Sequence, residues 1–297
     1  MARRVLIAGG SGLIGTELAR QLREAGDEVL RLVRRHPSGP DERNWAPSAR
    51  TMDTRVLGEV DAVVNLAGAT ISHIPWTPGY RRTLLTSRVD ATRTLADGMN
   101  QVRTPPAVFI SGSAVGFYGD RPGERLTEDS AAGTGFFPDL VTAWENTAQL
   151  SPSATRVVTI RSAVVVARHG GLAPVRVLTG VGLGSRFGTG GQIWPWISLY
   201  DEAAAIRHLL DSKLSGPVNL TGPNPATSDR ITHDFARRMH RPYALRVPEW
   251  AVGLLGEAGR RLLLDSAKVV PQRLLADGFS WRHPRVEDAI DAVFSSR

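Results

Sequence analysis

The first fifteen residues carry the feature that most constrains the fold of this chain. Residues 5–8 are apolar without alternation, which predicts a parallel strand covered on both faces. Gly9, Gly12 and Gly15 follow at a spacing of three, and residues 13–22 then have a helical apolar pattern. A turn of this kind lets a dinucleotide pyrophosphate approach the backbone at a helix N-terminus. The pattern predicts a dinucleotide-binding unit, and the alternative is a tight turn without a ligand.

Composition excludes several classes of protein. The chain has 297 residues, of which 42% are hydrophobic, enough for one large domain or for a domain with a smaller lobe. No run of eighteen apolar residues occurs, so no membrane span is expected. The absence of cysteine excludes disulfides and thiolate metal sites, and the seven histidines have no metal-binding spacing. The chain enters its first strand directly, which predicts no signal peptide and a cytoplasmic location.

The net charge of +7 comes almost entirely from arginine, since Lys213 and Lys268 are the only lysines. The arginines are spread along the chain without a long basic block, so we expect no nucleic-acid partner. An arginine-rich composition can reflect genomic base composition, although a positive cleft would also suit a phosphorylated cofactor. Nucleic-acid binding remains a third alternative, which salt-sensitive affinity for DNA or RNA would reveal.

Apolar runs alternate with helical patterns along the first half of the chain. This alternation predicts an α/β fold, a Rossmann-type doubly wound parallel sheet with a smaller C-terminal substrate lobe. The predicted strands are residues 5–8, 28–33, 62–66, 107–110 and 157–166, with a helix over residues 80–99.

The second half of the chain differs in character. Its first part is rich in glycine and contains two prolines, which predicts a long, partly irregular segment. A short strand is predicted at residues 218–221, and helices at residues 227–238 and 249–264. We therefore predict a dinucleotide-binding domain over residues 1–169, with a return segment at 197–211, and a substrate lobe formed by residues 170–196 and 212–297.

The end of the second predicted strand indicates which nicotinamide cofactor is used. In NAD-binding forms of this fold an acid at this point binds the ribose 2′-hydroxyl. Here the strand ends in Arg34 and Arg35 with no acid, and arginine suits a 2′-phosphate. The sequence predicts NADP(H) rather than NAD(H), and the alternative is a pair of solvated surface arginines.

Three motifs resemble the extended branch of the short-chain dehydrogenase/reductase superfamily: Gly9-x-x-Gly12-x-x-Gly15, Asn65-Leu66-Ala67-Gly68, and the segment from Ser111 to Gly119. Further motifs resemble the sugar-nucleotide epimerase-like family, which carries a C-terminal domain of unknown function. They are Trp76-Thr77, Ser87-Arg88-Val89, Trp196-Ile197 and residues 216–221, 223–225, 270–274 and 278–279. The resemblance covers residues 3–292 and implies NAD(P) binding with epimerase or oxidoreductase activity.

The resemblance and the motifs together give a set of candidate cofactor-binding residues. It comprises Gly9, Ser11, Gly12, Leu13, Ile14, Gly15, Arg34, Arg35, Leu66, Ala67, Gly68, Ser111 and Arg161. For Arg161 the alternatives are a contact to a substrate phosphate and a buried ion pair with a nearby acid. No metal site is expected.

The catalytic residues are less clear, because the tyrosine and lysine that the superfamily places four apart on one helix face are missing. Where they belong, the chain has Leu140 and Trp144, or Val141 and Glu145. Three candidates remain, each with a structural alternative. Ser113 would bind the substrate oxygen or only local backbone, Tyr118 would donate a proton or pack on the cofactor, and Glu145 would act as acid/base or be structural.

These observations lead to two hypotheses. The first is an NADP-dependent oxidoreductase or epimerase that transfers hydride at a carbonyl or carbinol carbon of a small-molecule substrate. The second is a non-catalytic NAD(P)-binding sensor or scaffold, which the missing tyrosine–lysine pair favours. Either a monomer or a homodimer is compatible with the sequence.

Overall fold

The computed structural model describes residues 2–295. In chain order, strands β1–β16 span Arg4–Ala8, Glu28–Val33, Glu42–Ala46, Thr51–Met52, Ala62–Asn65, Val108–Ala114, Arg121–Leu126, Arg156–Ser162, Val164–Val166, Gly184–Phe187, Ile193–Trp194, Trp196–Ser198, Gly216–Leu220, Ala226–Thr227, Tyr243–Val247 and Ala267–Val269. Helices α1–α10 span Leu13–Glu24, Pro78–Met99, Phe136–Ala148, Ala173–Gly180, Leu199–Asp211, Ser228–Arg238, Glu249–Gly253, Gly256–Leu263, Gln272–Ala276 and Val286–Ser295.

The main sheet has eight strands in the order β13-β8-β6-β5-β1-β2-β3-β4. Every neighbouring pair is parallel except β3 and β4, which are antiparallel at one edge. The predicted doubly wound α/β fold is confirmed. The order of strands reverses between β1 and β5, and ligands of such sheets bind at the carboxyl ends of the strands that flank this point.

Both faces of the main sheet are covered. Val5 and Ile7 of β1 belong to the apolar cluster under α1 and α5, whereas Leu6 and Ala8 belong to the cluster that contains Leu95 of α2. Successive side chains of a strand point to opposite faces, so a strand covered on both sides needs apolar residues at every position. This explains the unbroken apolar run with which the chain opens.

The smaller lobe has its own apolar cluster, to which α4, α6 and α10 contribute around Trp194, Trp196 and Phe235. The glycine content predicted a partly irregular segment at residues 170–196. The structure instead places α4, β10 and β11 there. The helix predicted over residues 249–264 is divided into α7 and α8, where Gly256 has a φ of +69°. The strand predicted over 157–166 is likewise divided into β8 and β9.

The boundary between domain and lobe differs from the prediction. Residues 212–297 were assigned to the lobe, but Gly216–Leu220 is the edge strand β13 of the main sheet. Phe279 and Trp281 also pack against the main core. In the return segment, α5 packs on α1, while β12 pairs with β9 outside the main sheet. Residue 1 and residues 296–297, which the predicted domains include, lie outside the described residues.

Among the helices of residues 2–295, none combines the length and the apolar character that crossing a bilayer requires. In the same residues, no group of three or more histidine, cysteine, aspartate or glutamate side chains is arranged to hold a metal ion.

Candidate active site

The glycine turn after β1 touches the loop after β5. Gly9 has a φ of +79°, and a Cβ atom there would lie 2.7 Å from the carbonyl carbon of Leu66. A Cβ on Gly15 would lie 2.4 Å from the carbonyl oxygen of Gly9, so α1 also packs tightly on the turn. Side chains at either position would push these segments apart. The two glycines thus hold the turn and the β5 loop together at the point where the strand order reverses.

The N-terminus of α1 faces this turn with donors that no side chain satisfies. Gly12 is the N-cap residue and makes no side-chain cap hydrogen bond. Ser11 and Gly12 are exposed, and Leu13 and Ile14 are partly exposed. Free N–H groups and the positive end of the helix dipole at an accessible turn suit a pyrophosphate. The residues present at this turn therefore fit a dinucleotide.

A buried hydrogen-bond network shapes the loop after β5. The side chain of Asn65 donates to Thr92 Oγ1 at 2.9 Å and accepts from the backbone N–H of Ala67 at 3.1 Å. Trp144 Nε1 donates to the same threonine oxygen at 2.9 Å. Leu66 and Ala67 are partly exposed, and Gly68 is exposed, so the network presents this loop beside the glycine turn.

The two arginines after β2 have different environments. Arg34 is exposed, and in the described part of the chain it makes no hydrogen bond or ion pair. Arg35 donates from Nη1 and Nη2 to the two oxygens of Glu42, each at 2.7 Å. The hydrogen bond from Arg35 lowers the pKa of Glu42 to about 2. Arg34 is therefore the arginine available to a ligand.

The centre of the candidate site is Glu145, which binds two of the predicted residues. Ser113 donates to Glu145 Oε1 at 2.5 Å. Arg161 donates to both carboxylate oxygens, from Nε to Oε1 at 2.8 Å and from Nη2 to Oε2 at 2.9 Å. Such a bidentate pair matches the planar fork of the guanidinium to both carboxylate oxygens. Arg161 is thus in the buried ion pair that was its structural alternative, and its guanidinium lies 3.5 Å from the Phe117 ring centroid.

Tyr118 lies behind this ion pair and has no solvent exposure. Its hydroxyl donates to Asn219 Oδ1 at 2.7 Å and accepts from Arg161 Nη1 at 3.0 Å. Burial raises the pKa of the Tyr118 hydroxyl above its ordinary value, in spite of the nearby arginine. Both the proton and a lone pair of this hydroxyl are therefore engaged by protein groups.

Register explains why these distant residues meet. Ser113 of β6 is the Cα partner of Arg161 on β8, and Arg161 is the partner of Asn219 on β13. The three side chains therefore share one row across neighbouring strands. Asn219 was missed in the sequence analysis, although a polar residue inside an apolar strand is a signal for a buried contact. Ser111 lies on the row before, fully buried, and its hydroxyl reaches only the Gly112 carbonyl at 3.3 Å.

Arg88 of α2, from the motif Ser87-Arg88-Val89, was expected on a helix near the cofactor but was not selected as a site residue. Its guanidinium donates to the carbonyl oxygens of Leu84 and Ala69, each at 3.0 Å, and lies 5.2 Å from the Trp144 ring centroid. A Cβ on Gly68 would lie 3.3 Å from it. Burial lowers the pKa of Arg88 to about 10.

One cavity among the described residues lies away from these side chains. This cavity of about 700 Å³ lies between α5 and residues 279–282, and none of the site residues lines it. The site is defined here by its donors, acceptors and charges.

Comparison with known proteins places this chain in a family. The profile of the NAD dependent epimerase/dehydratase family matches residues 5–142, and that of a domain of unknown function, DUF1731, matches residues 247–293. Epimerase family protein Mb2239 of Mycobacterium bovis is 40% identical over 290 residues, 96% of each chain. The chain belongs to the NAD-dependent epimerase/dehydratase family. The resemblance to this family and its C-terminal domain is thereby confirmed.

Other relatives of this epimerase-family chain come from mammals. Epimerase family protein SDR39U1 of Bos taurus is 35% identical, over 98% of this chain and 100% of that protein. The crystal structure of human SDR39U1, isoform 2, with NADPH superposes with a TM-score of 0.91 at 31% identity, covering 99% of this chain and 100% of that one. The epimerase-family fold is therefore shared along the whole chain.

Proposed function

We propose that this protein is an NADP(H)-dependent oxidoreductase or epimerase that acts at a carbonyl or carbinol carbon of a small molecule, using Ser113 and Glu145 in place of a tyrosine–lysine pair. The observation that carries the proposal is the 2.5 Å hydrogen bond from Ser113 to a carboxylate held by Arg161. The human relative with 31% identity was crystallised with NADPH, which supports the cofactor.

The glycine turn would hold the dinucleotide. The uncapped N–H groups of α1 after Gly12 would bind the pyrophosphate, and Arg34 would pair with a 2′-phosphate, since Arg35 is already paired with Glu42. Bound there, a nicotinamide supplies hydride to a carbonyl carbon or removes it from a carbinol carbon.

The direction of the Ser113 hydrogen bond decides what this residue can do for a substrate. Because its proton points to Glu145, the Ser113 oxygen presents lone pairs on its remaining side and accepts a hydrogen bond. A carbinol hydroxyl is the matching donor. Ser113 would take the hydroxyl proton as its own proton moves to Glu145, so the carboxylate acts as general base through the serine. In the reverse direction, reduction of a carbonyl group, the proton would return from Glu145 through Ser113 to the carbonyl oxygen.

Arg161 and Tyr118 act on this pair from behind. Arg161 fixes both oxygens of Glu145, and the Tyr118 hydroxyl holds the Nη1 edge of Arg161. Because Tyr118 is fully buried, we assign it a positioning role rather than the proton transfer that the sequence also allowed.

The test begins with cofactor binding and continues with turnover. We expect NADPH to bind, with quenched or shifted fluorescence, and NADP⁺ to be reduced by members of an alcohol panel. Ser113→Ala should reduce kcat about 10²-fold or more and leave the NADPH Kd unchanged, because a general base contributes about that much. Ser151→Ala, outside the site, is the matched control. Full turnover by Ser113→Ala would exclude the serine from the chemistry.

The preference for NADP(H) has its own test. Arg34→Ala should weaken the binding of NADPH roughly tenfold and leave the binding of NADH unchanged, because a charge-assisted hydrogen bond to the 2′-phosphate is lost. Tighter binding of NADH than of NADPH by the wild-type protein would refute the assignment.

A non-catalytic NAD(P)-binding sensor or scaffold is the second candidate, and the arginine clamp on Glu145 favours it. Both oxygens of this carboxylate already accept hydrogen bonds from Arg161, so fewer of its lone pairs are free to take a proton. Tight NADPH binding without turnover of any alcohol or carbonyl compound would support this alternative over the enzyme.

A further inference from the structure

Arg88 is a partly buried cation beside the site with no acidic partner. Within the described residues, both of its hydrogen bonds go to backbone carbonyl oxygens, at Leu84 and Ala69. In residues 2–295 no carboxylate forms an ion pair with it. Burying a charge is costly unless another charge or a ligand compensates it.

Several other charged side chains near Arg88 form ion pairs. Glu145 is neutralised by Arg161. On α2 itself, Asp90 pairs with Arg50, and Asp97 pairs with Arg93. Arg82 of the same helix also forms no ion pair among the described residues, but it is exposed to water, so Arg88 is the partly buried cation without a counter-charge on this side of the site.

The position of Arg88 places that charge between the two ends of a bound dinucleotide. On one side its guanidinium donates to the carbonyl oxygen of Ala69 and would lie 3.3 Å from a Cβ placed on Gly68, in the loop that touches the glycine turn. On the other side it lies over Trp144, and a Cβ on Gly112, the neighbour of Ser113, would lie 2.8 Å from that ring. A dinucleotide with its pyrophosphate at the turn and its reacting ring at Ser113 has to pass this residue.

We propose that Arg88 sets the redox balance of the bound nicotinamide: its charge disfavours the cationic oxidised ring relative to the neutral reduced ring. The inference rests on the proposed function, since it requires a nicotinamide at Ser113. A cofactor poised toward its reduced form is the stronger hydride acceptor. The bias therefore favours oxidation of a carbinol, the direction in which Ser113 and Glu145 accept a proton.

The test measures the ratio of the Kd for NADP⁺ to the Kd for NADPH, which needs no substrate. The two forms carry the same phosphates, so the ratio isolates the charge of the ring. Arg88→Gln, which keeps an amide donor but removes the charge, should lower the ratio roughly tenfold, as expected for a unit charge about 10 Å away at an effective dielectric constant of about 20. Arg88→Lys keeps the charge and should keep the ratio near the wild-type value.

Arg82→Gln is the matched control, because Arg82 is an exposed arginine on the same helix. We expect no change in the ratio for this variant. If Arg88 only holds the loop at Ala69, the Gln and Lys variants will weaken both cofactor forms by the same factor, and an unchanged ratio overturns the proposal. Failure of the wild-type protein to bind NADPH would instead overturn the proposed function.

Discussion

Ser113 and Arg161 are partners on adjacent strands, and both donate a hydrogen bond to the same atom, Oε1 of Glu145. This one oxygen therefore accepts a hydrogen bond from the neutral hydroxyl of Ser113 and another from the permanently charged Arg161. This arrangement holds Glu145 in place and directs the Ser113 proton toward the carboxylate. The stability of the site and its chemistry are consequently linked through one side chain.

Breaking the ion pair from one side should cost more than removing it altogether. Glu145→Gln leaves Arg161, whose side chain is 4% exposed, without a counter-charge. We expect the free energy of unfolding to fall by about 3 kcal/mol, as for other buried pairs that lose one partner. The double variant Glu145→Gln/Arg161→Met should recover a large part of this loss. Urea unfolding measures both, and a loss below about 1 kcal/mol for the single variant would contradict the burial of the pair.

Sequence reasoning found the parts of the site that follow from local pattern. The strand, the glycine turn and α1 were predicted because their signals lie within fifteen residues of one another. Ser113 and Glu145 were selected as candidates one by one, but nothing in the sequence indicated that they touch. Their contact depends on how α3 packs against β6, which is a tertiary property.

Non-local pairing also explains what was missed. The strand Gly216–Leu220 was predicted in outline, yet its place beside β8 depends on residues more than fifty positions away. Arg161 was expected at the cofactor because it follows an apolar strand, whereas register places it opposite Ser113 and Asn219. Helix α4 was hidden by the glycines and the proline around it, whose weak helix propensity the packing against α6 overrides.

The glycine turn offers a prediction with a built-in control. Gly9→Ala and Gly26→Ala both place alanine at positive φ, +79° and +87°, and each pays about 1 kcal/mol for the backbone. Only at Gly9 does the new Cβ meet the Leu66 backbone, whereas nothing lies within 4 Å at Gly26. Gly9→Ala should therefore weaken the binding of NADPH about tenfold or more, and a tenfold change corresponds to about 1.4 kcal/mol. Fluorescence titration of both variants with NADPH measures these affinities. Equal affinities of the two variants would show that the cofactor binds elsewhere.

Tyr118→Phe separates a positioning role from proton transfer. The variant removes a hydroxyl that bridges Asn219 and Arg161, so we expect about 1–3 kcal/mol of lost stability from unpaired buried groups. If Tyr118 only positions Arg161, the pH dependence of kcat keeps its shape in the variant. A pH profile that loses one ionisation would show instead that the tyrosine transfers the proton. The two measurements, urea unfolding and a pH–rate profile, use the same protein preparation.

Glu202 should make the stability of the protein fall with rising pH. This residue of α5 is fully buried, and its one hydrogen bond in the described chain comes from Ser162 Oγ at 2.5 Å. Burial raises its pKa from 4.5 to about 8, so the folded protein keeps a proton that the unfolded chain has lost. Stability is then fully present below pH 4.5 and declines up to about pH 8, by on the order of 4 kcal/mol.

Glu202→Gln cannot titrate, so its free energy of unfolding should lack this decline between pH 5 and pH 8, while the exposed Glu59→Gln should follow the wild type. Urea unfolding at pH 5, 6, 7 and 8 measures the free energy of unfolding of each protein. The glutamine variant keeps the size of the side chain and removes only its ionisation, so a difference in pH dependence reports the titration of Glu202. Parallel curves for the wild type and Glu202→Gln would show that the carboxyl group reaches water or a counter-charge in the folded protein.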